Sequence, residues 1–543
     1  MLLSANYRIM LPENPHPALV YAKDELEKYL AKIFGENRAE DEVIITLGVD
    51  GTLPEEGYKL RVQGNNLFIS GGSPRGTLYG AYALLRDVCG CRFYAKDTEK
   101  VPSLDKLGLK DGFELFDKPA FEYRDVYWTC AFDPEWAAKN RVNSCVSRAL
   151  GEKYGGGIKY AMFVHTFNNL VPPDKYFKEH PEYYSLTEGE RKPTQLCLSH
   201  PDVLNIVIER IKEILRRNPD CRIISVSQND CFGFCECDAC RAADERAGSH
   251  MGTLLPFVNA IADAIRDEFP DVAIDTLAYQ YTRQPPVGIV PRDNVIIRLC
   301  SIECCFSHTF EECPESGTRW AYTKKKSFVS DLKEWKAISK RLYVWNYTTN
   351  FAYYQAPFPN IRTLVPNIRF MYENNVVGLF DEGCYQTISG EFAELRAYLH
   401  AEAMWNPYID WKQCYREFME AYYGKGWRHI DEYINLTCDI AERIHMGIYM
   451  HPSEIIPPDP ELVKKFDELW DAAEAEADDE LTLSHVRRSR IQLRVYKSIC
   501  GFSTPEENAK LLSDIRAFGI TRMREATHLR EDADPYAPAD KWS

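Results

Sequence analysis

The chain has 543 residues, roughly three times an ordinary domain, so it holds several folding units with sizeable cores. Hydrophobic residues make up 45%, aromatics 13% and charged residues 27%, a globular composition that excludes disordered, collagenous and coiled-coil classes. Lys and Arg total 65 against 81 Asp and Glu, a formal charge of −16 that repels phosphate backbones and anionic lipid. Neither nucleic acid nor a membrane is expected as a partner.

The chain opens MLLSANYRIM, where Ser4, Asn6 and Arg8 interrupt the apolar residues, and it lacks the basic start and long apolar run of an export signal. A cytoplasmic location is expected, or a secreted one if such a signal has been removed. Leu19, Ala22, Leu26, Tyr29, Leu30 and Ile33 recur at helical spacing ahead of Gly35, which predicts an amphipathic helix. Residues 43–47 read as a strand. Tyr58, Leu60 and Val62 alternate with polar residues, turn at Gly64-Asn65 and resume at Leu67, which predicts a hairpin, and a second helix follows over 75–89. Residues 1–115 therefore form an N-terminal α/β domain.

From Phe121 the pattern changes to short apolar runs separated by helical stretches. Strands are predicted at 122–128, 144–149, 161–166, 223–227, 272–278, 295–300, 342–345 and 376–380, with helices such as 204–217 and 254–269 between them. Eight strands with crossovers predict an α/β fold built on a (β/α)8 TIM-like barrel over 116–405, whose active site would lie at the C-terminal strand ends. Beyond Met404 the strand signal stops. Helical patterns at 411–423, 430–444, 462–477 and 483–499 predict a C-terminal helical domain over 406–543, ending in a loose tail from about Glu525.

Function is then sought after each strand. Asn229 and Asp230 follow the fourth, Glu303 and His308 the sixth, Trp345, Asn346 and Tyr347 the seventh, and Asp381 and Glu382 the eighth. Four acids on one rim meet the requirement for cleaving a glycosidic bond, in which an acid protonates the leaving oxygen and an anion stabilises oxocarbenium charge. Gly383 permits a turn that would bring both Asp381 and Glu382 into the pocket, Glu382 as proton donor and Asp381 holding a 2-acetamido group whose carbonyl attacks the anomeric carbon. The same pair also reads as a solvated loop. Asn229-Asp230 competes for the acid role or caps a helix. Glu303, in an apolar run, is either a functional acid or a buried residue satisfied by an arginine such as Arg298. Trp345 and Tyr347 share a face and serve either as sugar platform and acetamido donor or as core packing. His308 is a further substrate-binding candidate, or an ordinary loop residue. The chain's 32 Tyr, 26 Phe and 10 Trp suit sugar faces as well as cores.

Of 18 cysteines, most sit in apolar runs as reduced core thiols. Cys231, Cys235, Cys237 and Cys240 fall within ten residues at C-x3-C-x-C-x2-C, a density that can hold structural zinc, although ribbon and finger sites use two separated pairs. Free thiols or a local disulfide are equally open there. No metal is assigned to the catalytic residues and no cofactor is expected. No thiol shows the activating surroundings of a cysteine protease. The glycine-rich run at 71–76 lacks the Gly-Lys-Ser/Thr ending of a phosphate cradle.

The run Gly71-Gly72-Ser73-Pro74-Arg75-Gly76-Thr77-Leu78-Tyr79-Gly80, with Leu84-Leu85 and Gly90-Cys91-Arg92-Phe93-Tyr94, resembles the small non-catalytic domain that precedes the barrel in family 20 hexosaminidases and α-glucuronidases. Further stretches resemble the bacterial family catalogued as domain of unknown function 4838, related to glycoside hydrolase family 163. They are Ser227-Gln228-Asn229-Asp230, Cys235-Glu236-Cys237-Asp238-Ala239-Cys240, Ile302-Glu303-Cys304-Cys305-Phe306-Ser307-His308, Tyr343-Val344-Trp345-Asn346-Tyr347, Gly378-Leu379-Phe380-Asp381-Glu382-Gly383 and Ala421-Tyr422-Tyr423-Gly424. Characterised family 163 members are endo-β-N-acetylglucosaminidases that cut the chitobiose core of N-glycans. The resemblance implies a retaining, substrate-assisted β-N-acetylglucosaminidase with a carbohydrate substrate. In family 20 the Asp-Glu pair follows the fourth strand, whereas here it follows the eighth. A uronidase or other glycosidase with separate carboxylates such as Asp230 and Glu303, and a non-catalytic carbohydrate-binding barrel, are the alternatives.

Overall fold

The computed structural model describes residues 1–317 and 326–543. The chain divides into two compact units, one of Met1–Gly157, Thr348–Ile368 and Glu382–Ser543 and the other of Ile158–Tyr347 and Arg369–Asp381. The borders expected at 115 and 405 do not separate them, because the N-terminal α/β part and the C-terminal helices belong to one unit. Among the described residues no helix is long and apolar enough to cross a membrane.

In the first unit, strands β1 (Tyr7–Met10), β2 (Val43–Val49), β3 (Tyr58–Gln63), β4 (Asn66–Gly71) and β5 (Glu114–Asp117) form a mixed sheet in the order β1-β2-β4-β3-β5. The helix Pro17–Phe34 buries Leu19, Ala22, Leu26, Tyr29, Leu30 and Ile33, the stripe its periodicity predicts, and His16 Nδ1 caps it by accepting from the Ala18 N–H. Glu56 ties this sheet to β6 (Tyr123–Tyr127). Its carboxylate meets Arg75 Nε at 2.7 Å and Arg124 Nη1 at 2.8 Å and accepts from Asn143 Nδ2 at 3.1 Å, all of them buried. A second buried cluster pairs Glu402, on the helix Ala393–Trp405, with Arg86 and Arg141. That helix ends in Trp405, whose Nε1 donates to Asp117 at 2.7 Å while its ring stacks on Tyr58. Two arginines per carboxylate compensate charges that would otherwise be costly to bury.

The expected loose tail is ordered. Residues after Ala517 form a short hairpin, Arg522–Arg524 with Thr527–His528, and Trp542 is fully buried among Ile491, Val495 and Leu511. The polar composition of the segment concealed a single large anchor, and burying one such aromatic is worth about 2 kcal/mol or more.

The second unit is a curled parallel sheet covered by helices. Strands β9 (Ile223–Ser225), β10 (Ala273–Ala278), β11 (Val295–Cys300), β12 (Leu342–Tyr347) and β13 (Val376–Glu382) neighbour one another in that order, and β13 ends on Glu382, which belongs to the first unit. Register is parallel, with Ile223 opposite Ala273, Ile274 opposite Val295 and Ile297 opposite Leu342. β10 and β11 are buried along their whole length, which explains their near-continuous apolar runs. Ahead of β9 comes an unanticipated hairpin, β7 (Tyr184–Thr187) and β8 (Glu190–Leu196), turning at Glu188-Gly189 with positive φ at both.

Two of the eight predicted strands are not regular strands, so the barrel is present in part. Residues 161–166 run beside β9, with the Ala161 N–H donating to Ile223 O and the Ser225 N–H to Met162 O, but His165 adopts φ +53°, which breaks the extended run. In 144–149, Ser144 Oγ and the Arg148 guanidinium bond Asp125 instead of building a ladder.

Glu56 and Glu402 would be raised by burial, but their arginines win and hold both below the usual carboxylate range. A depressed folded value contributes stability that is present above the unfolded value and lost as pH falls through the folded one. Thermal unfolding is therefore expected to show a steep stability loss below about pH 4. Glu56→Gln should lower stability by about 3 kcal/mol at neutral pH, by leaving buried arginines uncompensated, and flatten that acid limb.

Candidate active site

Parallel strands bring their C-terminal ends to one edge, and Asn229, Asp230, Glu303, Trp345, Tyr347 and Asp381 of the second unit lie at or after those ends in the chain. After β9 the chain passes through Ser227 and Gln228 to Asn229 and Asp230. Asn229 is buried and pinned on both sides of its amide. Its Nδ2 donates to Thr194 O at 2.7 Å and to Asn168 Oδ1 at 3.0 Å, its Oδ1 accepts from the Asn168 N–H, and its own N–H donates to Gln195 Oε1 at 3.0 Å. Asp230 is exposed, and its Oδ1 accepts from Tyr279 OH at 3.1 Å. Tyr279 OH in turn accepts from Gln280 Nε2 at 3.0 Å. The His165 ring lies 6.1 Å from that of Tyr279, with Nδ1 2.8 Å from Gln228 O. His165 and Gln280 both hold positive φ, a backbone cost of order 1 kcal/mol each that concentrates at functional sites. Neither carried a sequence signal, since His165 sits inside an apolar run that reads as strand.

Glu303, after β11, is buried against Arg283, whose Nη1 is 3.1 Å from its Oε2. Arg283 also pairs with Asp331 at 2.7 Å and donates to Gly317 O and Lys326 O. Asp331 is pushed up to about 6 by burial, with Arg283 opposing. The expected partner Arg298 is elsewhere, paired with Asp275 at 2.7 Å. Glu303 is thus paired with an arginine, though not with Arg298. His308 is half-buried, with Nδ1 3.3 Å from both Cys305 Sγ and Ser307 Oγ.

At the ends of β12 and β13, alternation separates what the sequence reading joined. The Trp345 ring packs on Phe380 at 4.3 Å, stacks on Phe163 at 5.8 Å and lies 6.4 Å from Tyr347. Asn346, one residue on, donates from Nδ2 to Asp381 Oδ1 at 3.1 Å and accepts from Ser301 Oγ at 2.9 Å. β13 stays regular through Glu382, so Glu382 projects from the face that carries Phe380, and Asp381, fully buried, projects from the other. Asp381 and Glu382, expected together in one pocket through a turn at Gly383, thus leave the strand on opposite faces, and Asn346 holds Asp381 on its own.

In the first unit, Glu382 to Cys384 is clamped. Thr348 donates from its N–H and Oγ1 to Glu382 O, the Gly383 N–H donates to Tyr127 O, and Thr129 donates from N–H and Oγ1 to Cys384 O. Trp128 Nε1 donates to Thr348 Oγ1 at 3.2 Å, and a Cβ on Gly383 would stand 1.8 Å from the Trp128 ring. Tyr127 and Tyr385 face each other at 4.8 Å. Burial raises both phenols, and the nearby carboxylates, Asp125 and Glu382 for Tyr127 and Glu525 and Glu382 for Tyr385, raise them further, so both stay neutral hydroxyls. Tyr385 OH donates to Glu525 Oε1 at 3.1 Å. Glu525 lies in the segment whose composition predicts a loose tail, and nothing in its local sequence links it to a residue more than a hundred positions away.

With this geometry in place, two family descriptions match the chain. "Domain of unknown function (DUF4838)" covers residues 93–435, and "Glycosyl hydrolase family 20, domain 2" covers residues 1–88. No curated protein matches. Among solved structures, a family GH115 4-O-methyl-α-glucuronidase with specificity for decorated arabinogalactans aligns over 95% of this chain and 76% of its own, at TM-score 0.54 and 11% identity. A GH138 enzyme targeting pectin rhamnogalacturonan II aligns over 94% and 88%, at TM-score 0.46 and 10% identity. A Flavobacterium johnsoniae chitobiase aligns over 94% and 93%, at TM-score 0.44 and 11% identity. At these identities the first of them shows a shared fold.

Gly383→Ala is expected to lower stability by about 3 kcal/mol, since its new methyl must displace the Trp128 ring. Chemical denaturation of both proteins measures this, and an unchanged midpoint would show that the clamp yields.

Proposed function

The chain belongs to the DUF4838 family, and on that premise we propose that it is a glycoside hydrolase whose proton donor is Glu382. The observation that carries the reading is the strand-end edge, where carboxylates, an amide-pinned Asn229-Asp230 segment and half-buried Trp345 succeed one another at the ends of parallel strands. Glu382 is almost fully buried on a clamped main chain, the setting in which a carboxyl hands its proton to a glycosidic oxygen. Trp345 serves as the sugar platform.

The finer reading is a retaining β-N-acetylglucosaminidase acting on GlcNAc-containing glycans, N-glycans among them. The acetamido oxygen attacks the anomeric carbon as the glycosidic C–O bond breaks and Glu382 protonates the leaving oxygen. Water then opens the cyclic intermediate and returns the proton to Glu382. In this reading Tyr347, on the face of Trp345, donates to the acetamido group, because Asn346 holds Asp381 on the opposite face. That same position of Asp381 favours a second reading, a uronidase or other glycosidase with separate carboxylates. There Asp230 supplies the second acid, since Arg283 occupies Glu303.

A panel of aryl glycosides separates the readings, since only the first needs a 2-acetamido group. Glu382→Gln is expected to cut kcat/KM about 1000-fold with the circular dichroism unchanged. Asp381→Asn is expected to cost far less, and Asp230→Asn to be severe only in the separate-carboxylate reading. Unaltered turnover in Glu382→Gln would remove it from the chemistry, and saccharide binding without turnover across the panel would point to a binding barrel.

A further inference from the structure

We infer that Cys197, Cys235, Cys237 and Cys240 form a tetrathiolate site for one zinc ion that fastens the Asn229-Asp230 segment to the hairpin β7-β8. The four Sγ atoms lie within 4.8 Å of one another, with Cys197 Sγ 3.7 Å from Cys237 Sγ and 3.9 Å from Cys240 Sγ. Zinc bound by four sulfurs at its usual bond length sets them about 3.8 Å apart, whereas a disulfide brings two sulfurs to about 2 Å. The observed spacing is that of ligands around a common centre.

The composition of the cluster corrects the reading from spacing. Cys231, the expected fourth member, faces Thr194 O and Gln195 Nε2 at 3.5 Å each. Its place is taken by Cys197, which follows β8 directly and is 38 positions before Cys235 in the chain. The site thus has two separated contributions, one cysteine after a hairpin and three at C-x-C-x2-C at the start of the helix Asp238–Ala247, where ribbon and finger sites use two pairs. Cys237 precedes that helix and Cys240 lies in its first turn.

The sulfurs are also met by outer donors of the kind that orient metal ligands. The Leu186 N–H reaches Cys235 Sγ at 3.4 Å, Arg191 Nη1 reaches the same sulfur at 3.8 Å, and Ser199 Oγ lies 3.1 Å from Cys240 Sγ. Buried thiols that merely fill a core touch aliphatic side chains. Here three buried cysteines and half-buried Cys237 face one another, with Leu186 the packed aliphatic neighbour.

Four thiolates leave no open position on the ion, so its role is to hold structure. Gln195, two residues before Cys197, brackets the acidic segment by donating from Nε2 to Asn229 O and Cys231 O at 2.8 Å and accepting the Asn229 N–H. Zinc at Cys197 would therefore lock both ends of residues 229–240 onto β8. The metal site stands whether or not the glycosidase reading holds.

Metal analysis of the full chain, produced in zinc-supplemented medium and purified without chelator, tests this. One zinc per chain is expected, lost in Cys197→Ser and in Cys240→Ser and kept in Cys231→Ser. Cobalt exchanged into the wild-type protein should show the thiolate charge-transfer and tetrahedral ligand-field absorption of a four-sulfur site, a readout that does not depend on a variant folding. Hydrogen exchange should quicken over residues 186–197 and 229–240 once zinc is stripped. A wild-type chain that neither carries nor takes up zinc, full zinc content in Cys197→Ser, or an octahedral cobalt spectrum would each overturn the proposal.

Discussion

Gly383 has no room for one additional carbon, and much of the candidate site follows from that contact. Because the Trp128 ring lies against its Cα, the chain leaving β13 must pass flat beneath the indole, and the carbonyls and amides of residues 382–384 are drawn onto Tyr127, Thr129 and Thr348. The last strand residue is thereby fixed in an extended conformation. Period-two alternation then decides which acid goes where, with Glu382 on the Phe380 face and Asp381 on the Asn346 face.

Charge burial is the second organising constraint. Each unit hides carboxylates deep in the protein and answers them with arginine, whose guanidinium remains charged under any ordinary condition. Glu56 and Glu402 each meet two arginines, and Arg283 serves both Glu303 and Asp331. These pairs act as geometric pins, since a bidentate donor misplaced by an ångström leaves an ion uncompensated. In the first unit the pins join segments hundreds of positions apart, which is why the N-terminal sheet and the helix Ala393–Trp405 fall into one compact body. Asp230 has a different environment, exposed and bonded by a phenol.

The fold is shared with a glucuronidase at 11% identity. So weak a likeness is what a parallel sheet allows, because buried strands ask only for apolar side chains of suitable volume while the strand-end loops vary freely. In the second unit the segment ahead of β9 carries the β7-β8 hairpin with its cysteine cluster.

Local regularities were legible in the amino-acid sequence alone. The stripe of the Pro17–Phe34 helix, the hairpin at Gly64-Asn65, the apolar runs of β10 to β13 and the placing of Asp230, Glu303 and Asp381-Glu382 at strand ends all repeat over a few residues, and short-range periodicity records them. Partnership was decided only in three dimensions. Arg283 and not Arg298 meets Glu303, Cys197 and not Cys231 completes the sulfur cluster, Glu525 approaches Tyr385, and Trp542 anchors a tail whose composition looked loose. Each of these depends on which surfaces the folded chain brings into contact, and a side chain's partner across space leaves no mark on its neighbours along the chain.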